Sequence, residues 1–344
     1  MRRLITARAL WTLARAGNLP ARVRANREGA TAIRLHLAGA AVDTGLLDAL
    51  ATGAADIDEL AQRMAVDDLE LLAAFLRVVE SASLVQVRRG SWRLTARGRA
   101  IVDDDLVRAV YQAFPGFHTG LYRELPAQLA GGRPRRDVAE QGGLIARVSA
   151  AFEPFVLSEL TATVVERAPR RVLDIGCGAG LQLAAMLDAA PAAEGVGIDS
   201  DADAAALAGK TLRDRGLDGR SHLRCADVRE VLADRTGALA DPFDLAVLAN
   251  VIYYVPMGDR VALLRDIASL LAPGGVLFLV TSVATRQLFS RHFDLLLHAQ
   301  DGAMELTDAD ALLGQLTAAG LRPSAPRPIA PGAPVVTVRA VWPG

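Results

Sequence analysis

The 344-residue chain is predicted to be an α/β protein, a doubly wound, mostly parallel sheet preceded by a smaller helical domain with a winged helix. Three observations predict this. From about residue 170 onward, short apolar strands alternate with helices, which specifies a parallel sheet covered on both faces. The first of those strands runs directly into glycines at 176, 178 and 180, and a helix follows. Between about 28 and 103, short helices lead into a tight hairpin, the order of a winged helix.

The elements follow in order. Residues 35–50 have helical apolar spacing. Asp56 is placed to cap the next helix, with Glu59 three residues on completing a capping-box pair. A break at 64–67 leads to a helix over 68–81, and strands 84–87 and 91–94 flank Arg88-Arg89-Gly90 as a hairpin. Helices broken at Pro115-Gly116, Gly131–Pro134 and Gly142-Gly143 then follow. They hold Tyr111, Phe114, Phe117, Tyr122, Phe152 and Phe155, which at helical spacing serve as core or as the wall of a substrate pocket. Strands are expected at 171–175, 195–198, 221–225, 245–248 and 276–281, with helices near 181–189, 202–215 and 258–271. A helix at 308–319, a proline-rich stretch and a strand at 335–341 complete the chain. The predicted domains are 1–105, a connector 106–165 and 166–344.

Composition excludes several classes. With 51% hydrophobic and 22% charged residues, the chain is globular rather than disordered. A formal charge of −1 gives the whole molecule no polycation's affinity for nucleic acid. No window approaches 18 consecutive apolar residues, so no membrane span is expected. Cys177 and Cys225 are too few for a disulfide framework, and a cytoplasmic protein is expected. No His/Cys/Asp cluster has metal-ligand spacing, so no metal is expected. Local charge is less even: residues 1–36 carry eight arginines (2, 3, 8, 15, 22, 24, 27 and 34) against Glu28. That run is a solvated helix face or a contact for an anionic partner.

The chemistry centres on Val172–Gly180, VLDIGCGAG. Glycines let the chain turn tightly and let a ligand approach the backbone, and the following helix offers unpaired N–H groups. The dinucleotide fingerprint needs a glycine where Leu181 stands, and the Lys-Ser/Thr of a phosphate loop is absent. Two acids then fall where an adenosine needs them. Asp199 ends the second strand, where a carboxylate accepts from ribose hydroxyls. Asp227 follows the third, within reach of an adenine amino group.

On these residues, with the strand FDLAVLANV and the entry LLAPGGVLFLV, the chain resembles the class I S-adenosylmethionine-dependent methyltransferases, which have a Rossmann-like seven-stranded sheet. GLLDALATG, DIDELAQRM and SWRLTARGRAIV resemble the winged-helix dimerisation domain of bacterial and plant small-molecule O-methyltransferases. The resemblance implies S-adenosyl-L-methionine as cofactor, a homodimer and a small-molecule acceptor from secondary metabolism. It places Asp174, Gly176, Gly178 and Gly180 at the methionine end, Asp199 with Ser200 at the ribose and Asp227 with Val228 at the adenine. Asn250 would face the sulfonium and substrate.

The sequence departs from that family at the general base. A His-Asp pair usually follows the fourth strand, and here Tyr253 takes the His position. A free phenol has a pKa near 10, so about one part in a thousand is ionised at pH 7, and tyrosine is a poor base for it. His118, His292 and His298 are the candidate bases, with His292 favoured because Asp294 lies beside it in sequence. Otherwise the acceptor is an already ionised carboxylate, a peptide C-terminus included, or the nucleophile is nitrogen or carbon. Two other classes compete. One is a winged-helix DNA-binding regulator, favoured by Arg88, Arg89, Arg93, Arg97 and Arg99. It is opposed by the helix at 67–81, where Asp67, Asp68, Glu70 and Glu80 face Arg77. The other is a cofactor-binding protein that does not methylate.

Overall fold

In a computed structural model, which describes residues 11, 12, 15, 17–233 and 236–344 (the side chains of 232 and 233 excepted), the alternation from residue 170 becomes one sheet. Arg2, Arg3 and Arg8 of the basic run lie outside the described residues. Two compact units divide the chain, Met1–Arg123 and Glu124–Gly344.

In the first unit, the long helix Leu19–Asp43 is followed by Leu46–Ala51, Ile57–Met64 and Leu69–Ser81, then by the hairpin strands β1 (Val85–Arg88) and β2 (Ser91–Leu94). The capping box forms: Glu59 N–H donates to Asp56 Oδ1 at 2.9 Å, and Asp56 N–H donates to Glu59 Oε2 at 3.1 Å. At the hairpin tip Arg88 pairs with Ser91, leaving Arg89 and Gly90 as a two-residue turn with φ of 54° and 83°, the left-handed pair that suits strand twist. Leu46, Leu47, Leu50, Leu60 and Leu76 fill this unit's core.

Two expectations fail here for backbone reasons. The helix expected at 35–50 is two helices, because Gly45 adopts φ 73° and turns the chain between them. The break expected at Pro115-Gly116 is instead a wide helical turn, Phe114–His118, which joins the helix Asp105–Ala113 to Thr119–Leu129. Thr119 N–H reaches back to Phe114 O, a spacing of five residues.

In the second unit the strands are β3 (Arg171–Ile175), β4 (Glu194–Asp199), β5 (Ser221–Cys225), β6 (Phe243–Ala249), β7 (Leu271–Ser282), β8 (Arg322–Pro323), β9 (Arg327–Pro328) and β10 (Val335–Val341). They run in the order β5-β4-β3-β6-β7-β10-β8, with β9 also paired to β10. The strands β3 to β7 are parallel, and β10 is antiparallel to β7. This is the Rossmann-like doubly wound sheet expected, with eight strands among the described residues rather than seven because the two-residue strands β8 and β9 both pair with β10. The order reverses between β3 and β6, and the crevice beyond the carboxyl ends of such strands is where this architecture takes its ligands.

Side-chain alternation divides β3 between two core layers. Leu173 and Ile175 pack with Leu264, Ile267 and Leu279 on one face. Val172 packs on the other with Val156, Leu160 and Val164 of the helix Glu153–Arg167 and with Leu183 and Leu187 of the helix Leu181–Ala189. Asp174 shares that second face. Gly197 on β4 lets the layer close, since an added Cβ would stand 2.7 Å from Leu223 Cδ2, 3.0 Å from Leu183 Cδ2 and 3.1 Å from Cys177 Sγ. Among the described residues, the helical run 142–167 is long and apolar enough to cross a membrane. Val156, Leu160 and Val164 commit one side of it to the protein core.

Candidate active site

Four strand ends build the site. After β3 the chain enters the glycine loop, where Gly176, Gly178 and Gly180 have φ of 70°, 51° and 74°. A Cβ at Gly176 would stand 2.4 Å from Val251 Cγ2, whereas one at Gly178 would meet nothing within 4 Å. The first position is glycine for packing against the loop after β6, and the second faces open space. Gly176 and Cys177 N–H both donate to Ile198 O, at 2.8 and 3.0 Å, which binds the loop to the end of β4.

Asp199, at that end, closes the loop with its side chain. Gly178 N–H donates to Asp199 Oδ2 at 2.8 Å and Asp201 N–H to Oδ1 at 3.0 Å. Ala226 N–H donates to Asp199 O at 3.0 Å, so the loop after β5 is drawn alongside. Asp227 there is exposed, accepts from Arg229 N–H at 2.7 Å and stands next to half-buried Val228. Ser200 is exposed beside Asp199. Asn250 ends β6 with φ 58°, a left-handed conformation that asparagine tolerates better than other side chains. Its N–H is held by Val280 O at 2.8 Å.

Asp174 lies beneath the loop, 1% exposed. Its Oδ2 accepts from Leu183 N–H at 3.0 Å in the first turn of the helix Leu181–Ala189. Burial, with the neighbouring charges of Glu153 and Asp199, pushes its carboxyl up to about 7 against the hydrogen bond that lowers it. Glu153 was not legible as a site residue, since a glutamate before proline at a helix start reads as ordinary first-turn chemistry. Yet Gln182, next to Leu183, donates to Glu153 Oε2 at 3.1 Å, Oε1 is buried with no hydrogen-bond partner, and burial raises the carboxyl's pKa.

The candidate bases are not equivalent. Tyr253 is 4% exposed and packs edge-on against Tyr254 and Phe293, with ring centroids 4.6 and 5.3 Å away. Desolvation, the Tyr254 charge and a hydrogen bond to Tyr254 raise its pKa well above a free phenol's, so it stays protonated. His292 is held below its ordinary pKa by burial, hence neutral at pH 7 and able to accept a proton. Asp294 does not partner it. Asp294 Oδ1 accepts from Leu306 N–H at 2.9 Å and lies 3.6 Å from His298 Nδ1. Residues two apart on a helix point away from each other, whereas those four apart face each other. His118, in the first unit, is buried against Phe114 and Phe117 at 4.4 and 4.9 Å between centroids.

A second residue that sequence reasoning missed is Arg260, 0% exposed. Its Nε donates to Val255 O at 2.9 Å and its Nη2 to Glu305 O at 2.6 Å. It joins the loop that carries Tyr253 to the segment before the last helix.

The donor set selects the ligand type. A phosphate would need the loop's N–H groups free and a positive field, but Gly178 N–H is taken by a carboxylate and Asp174, Glu153 and Asp227 add negative charge. The arrangement is an acid-lined loop cluster at the strand ends, suited to a cationic ligand rather than a phosphate. Residues 149–324, about half of the chain, match the methyltransferase domain family, and the chain belongs to that family. In sequence it is similar to the ubiquinone biosynthesis O-methyltransferase of Xanthomonas euvesicatoria pv. vesicatoria, 33% identical over 132 residues that make up 38% of this chain and 51% of that enzyme. The chain thus spans about half the length of the curated relatives it matches. In fold it is similar to the mitomycin 7-O-methyltransferase MmcR, with a TM-score of 0.76 and 20% identity over 96% of this chain and 99% of that one. It is similar also to the N,N-8-amino-8-demethyl-D-riboflavin dimethyltransferase of Streptomyces davawensis, with a TM-score of 0.70 and 22% identity over 94% and 99%.

The buried Asp174 couples stability to pH. Its folded pKa of about 7 lies above the unfolded carboxylate's 3.8, so the folded state binds more protons across that window, and the residue costs stability as pH rises through it. Asp174→Asn removes the titration and keeps an acceptor for Leu183 N–H. Urea unfolding is expected to show the variant gaining on the native protein by up to about 1.4 kcal/mol per pH unit between pH 4 and 7, then levelling off.

Proposed function

We propose that the protein is an S-adenosylmethionine-dependent methyltransferase of small molecules, with oxygen as the acceptor atom. The observation that carries this reading is the glycine loop closed by Asp199 on Gly178 N–H within a ring of carboxylates, which suits a positively charged adenosine cofactor and repels phosphate. Bound S-adenosylmethionine supplies a methyl group on a sulfonium, ready for in-line displacement by a nucleophile.

The chain's own residues bind and orient. In this reading Asp199 keeps lone pairs for the ribose hydroxyls beside the two N–H groups it already accepts, with Ser200 next to it. Asp227 and Val228 flank the adenine, Gly176, Gly178 and Gly180 admit the cofactor's approach to the backbone, and Asn250 faces the reacting end. Holding the two reactants near 3–3.5 Å and excluding water then supplies the rate. The proton of a hydroxyl acceptor goes to His292, which is neutral at pH 7. It follows β7 on the helix Leu288–His298, and Phe293 next to it packs on Tyr253. Tyr253 supports the pocket wall and takes no proton. Oxygen is favoured by the names of the ubiquinone-pathway relatives and of MmcR, while the riboflavin dimethyltransferase shows that this fold also serves nitrogen acceptors.

We assign the first unit to homodimer formation in the cytoplasm rather than to DNA or a membrane. Leu71 and Val78, two turns apart on one face of the helix Leu69–Ser81, are 67% and 46% exposed, and the acids of that helix oppose a groove-binding role. Light scattering is expected to report a dimer at micromolar concentration, and Leu71→Glu with Val78→Glu to shift it toward monomer.

Asp199→Ala is expected to weaken S-adenosylmethionine binding by about 2–3 kcal/mol in calorimetric titration, through loss of charge-assisted bonds. Unchanged affinity would remove Asp199 from the cofactor site.

His292→Ala is expected to lower turnover of a phenolic acceptor by about 10²-fold or more. In the native enzyme kcat/KM is expected to be level above pH 7 and to fall as pH drops through the depressed His292 pKa, where the base becomes protonated. An acid limb unchanged in the variant would exclude His292 as the base.

A further inference from the structure

The helix Leu288–His298, which carries His292, is held at both ends by polar side chains. At its start Ser290, 1% exposed, accepts from Thr285 N–H at 2.8 Å and donates to Val283 O at 2.9 Å. Past its end the chain runs beside Arg135 in a parallel bridge between Arg135 and Gln300. Arg135 N–H donates to Ala299 O and Asp301 N–H to Arg135 O, both at 2.8 Å. Arg135, Asp137 and Gln300 are all buried there, while Arg136 is exposed. Asp137 is the shared acceptor. Its Oδ2 takes Arg135 Nε and, at 2.9 Å, Gln300 Nε2. Its Oδ1 takes Arg135 Nη2 at 3.0 Å and Gln141 Nε2 at 3.3 Å. Gln300 Oε1 in turn accepts from Val138 N–H at 3.3 Å, and Arg135 Nη1 lies 2.8 Å from Glu124 Oε2.

Stability alone does not account for such a network. A buried ion pair adds little over an apolar replacement, whereas its directional bonds specify one arrangement. Leu296 and Leu297 bury the last turn of the helix, but apolar contact is non-directional and leaves the helix able to turn or slide. The bonds to residues 124–141 remove that freedom.

We propose that Asp137 is a positioning residue for the reaction: by gathering Arg135 and Gln300 it fixes the end of the base helix and so sets where His292 stands. This rests on the methyltransferase reading above, with His292 as base. His292 lies between the two anchors, and a misplacement of about 1 Å at a reacting group costs about 10²-fold in rate.

NMR of the five histidine rings in the whole chain, with His292→Ala to assign its signal, reads the seat of the base. Burial alone lowers the His292 pKa, so its titration midpoint gauges how the helix is seated. Asp137→Asn keeps the shape and removes the charge. It is expected to raise the His292 midpoint toward the ordinary histidine value of about 6.5 and to leave S-adenosylmethionine affinity unchanged in calorimetric titration. Loss of a negative charge by itself would move the midpoint the other way. Gln300→Leu, which keeps the ion pair, is expected to move it in the same direction and carries the test where Asp137→Asn does not fold. Glu166→Gln weakens an ion pair with Arg339 elsewhere in this unit and is expected to leave the signal in place. A His292 midpoint unmoved or lowered in the Asp137 and Gln300 variants would overturn the proposal, and so would equal movement in Glu166→Gln. Native protein that binds no S-adenosylmethionine would overturn the methyltransferase reading instead.

Discussion

The bond from Gly178 N–H to the Asp199 carboxylate is the constraint around which the site is arranged. It joins the turn after β3 to the end of β4, so the glycine loop and the acid at the end of β4 are set by one contact rather than by two independent loops. It requires a residue at 178 that accepts a left-handed φ with open space above it. It also consumes an N–H group that a phosphate-binding loop would keep free. The same glycine-rich outline that serves dinucleotides elsewhere is thereby turned toward a ligand carrying positive charge.

Much of this was legible because it is local. Strands 171–175, 221–225 and 335–341 and the helix 181–189 are observed over the expected residues, since a continuous apolar run ending in glycines has few alternatives to a buried strand and a turn. The Asp56–Glu59 capping box forms for the same reason. What failed depends on geometry across the chain. Gly45 cut a helix whose apolar spacing continued through it, and the wide turn at Phe114–His118 carried a helix past a proline that periodicity treats as a stop. The neighbourhood of His292 and Asp294 in sequence suggested a pair, but on a helix the acid turns to Leu306 and His298 instead. Glu153 carried no signal at all. Its contact with Gln182 depends on the packing of two helices on the second face of β3.

The substitution of tyrosine for histidine after β6 acquires a physical sense from that packing. Tyr253 is enclosed by Leu297, Leu306 and Phe293, an environment that penalises any charged form. A histidine there would itself be driven neutral, yet it would need a carboxylate partner that this apolar cluster does not offer. In the proposed reading the proton acceptor is instead His292 on the helix Leu288–His298, where burial lowers its pKa and keeps it neutral at pH 7.

Arg260 completes the electrostatic division of labour. It is a fully buried guanidinium whose Nε and Nη2 donate to the backbone carbonyls of Val255 and Glu305 while Nη1 is buried with no hydrogen-bond partner, whereas the charges acting on the buried acid Asp174 are those of other acids. Pairing the two would have been the ordinary way to settle a buried cation and a buried anion. Such a pair at β3 would hold Asp174 ionised and neutralise the crevice, and a cationic ligand would lose the attraction that selects it. Arg260 instead uses its planar donors to tie the loop after β6 to the segment before the last helix, and the acids at the glycine loop keep their negative field.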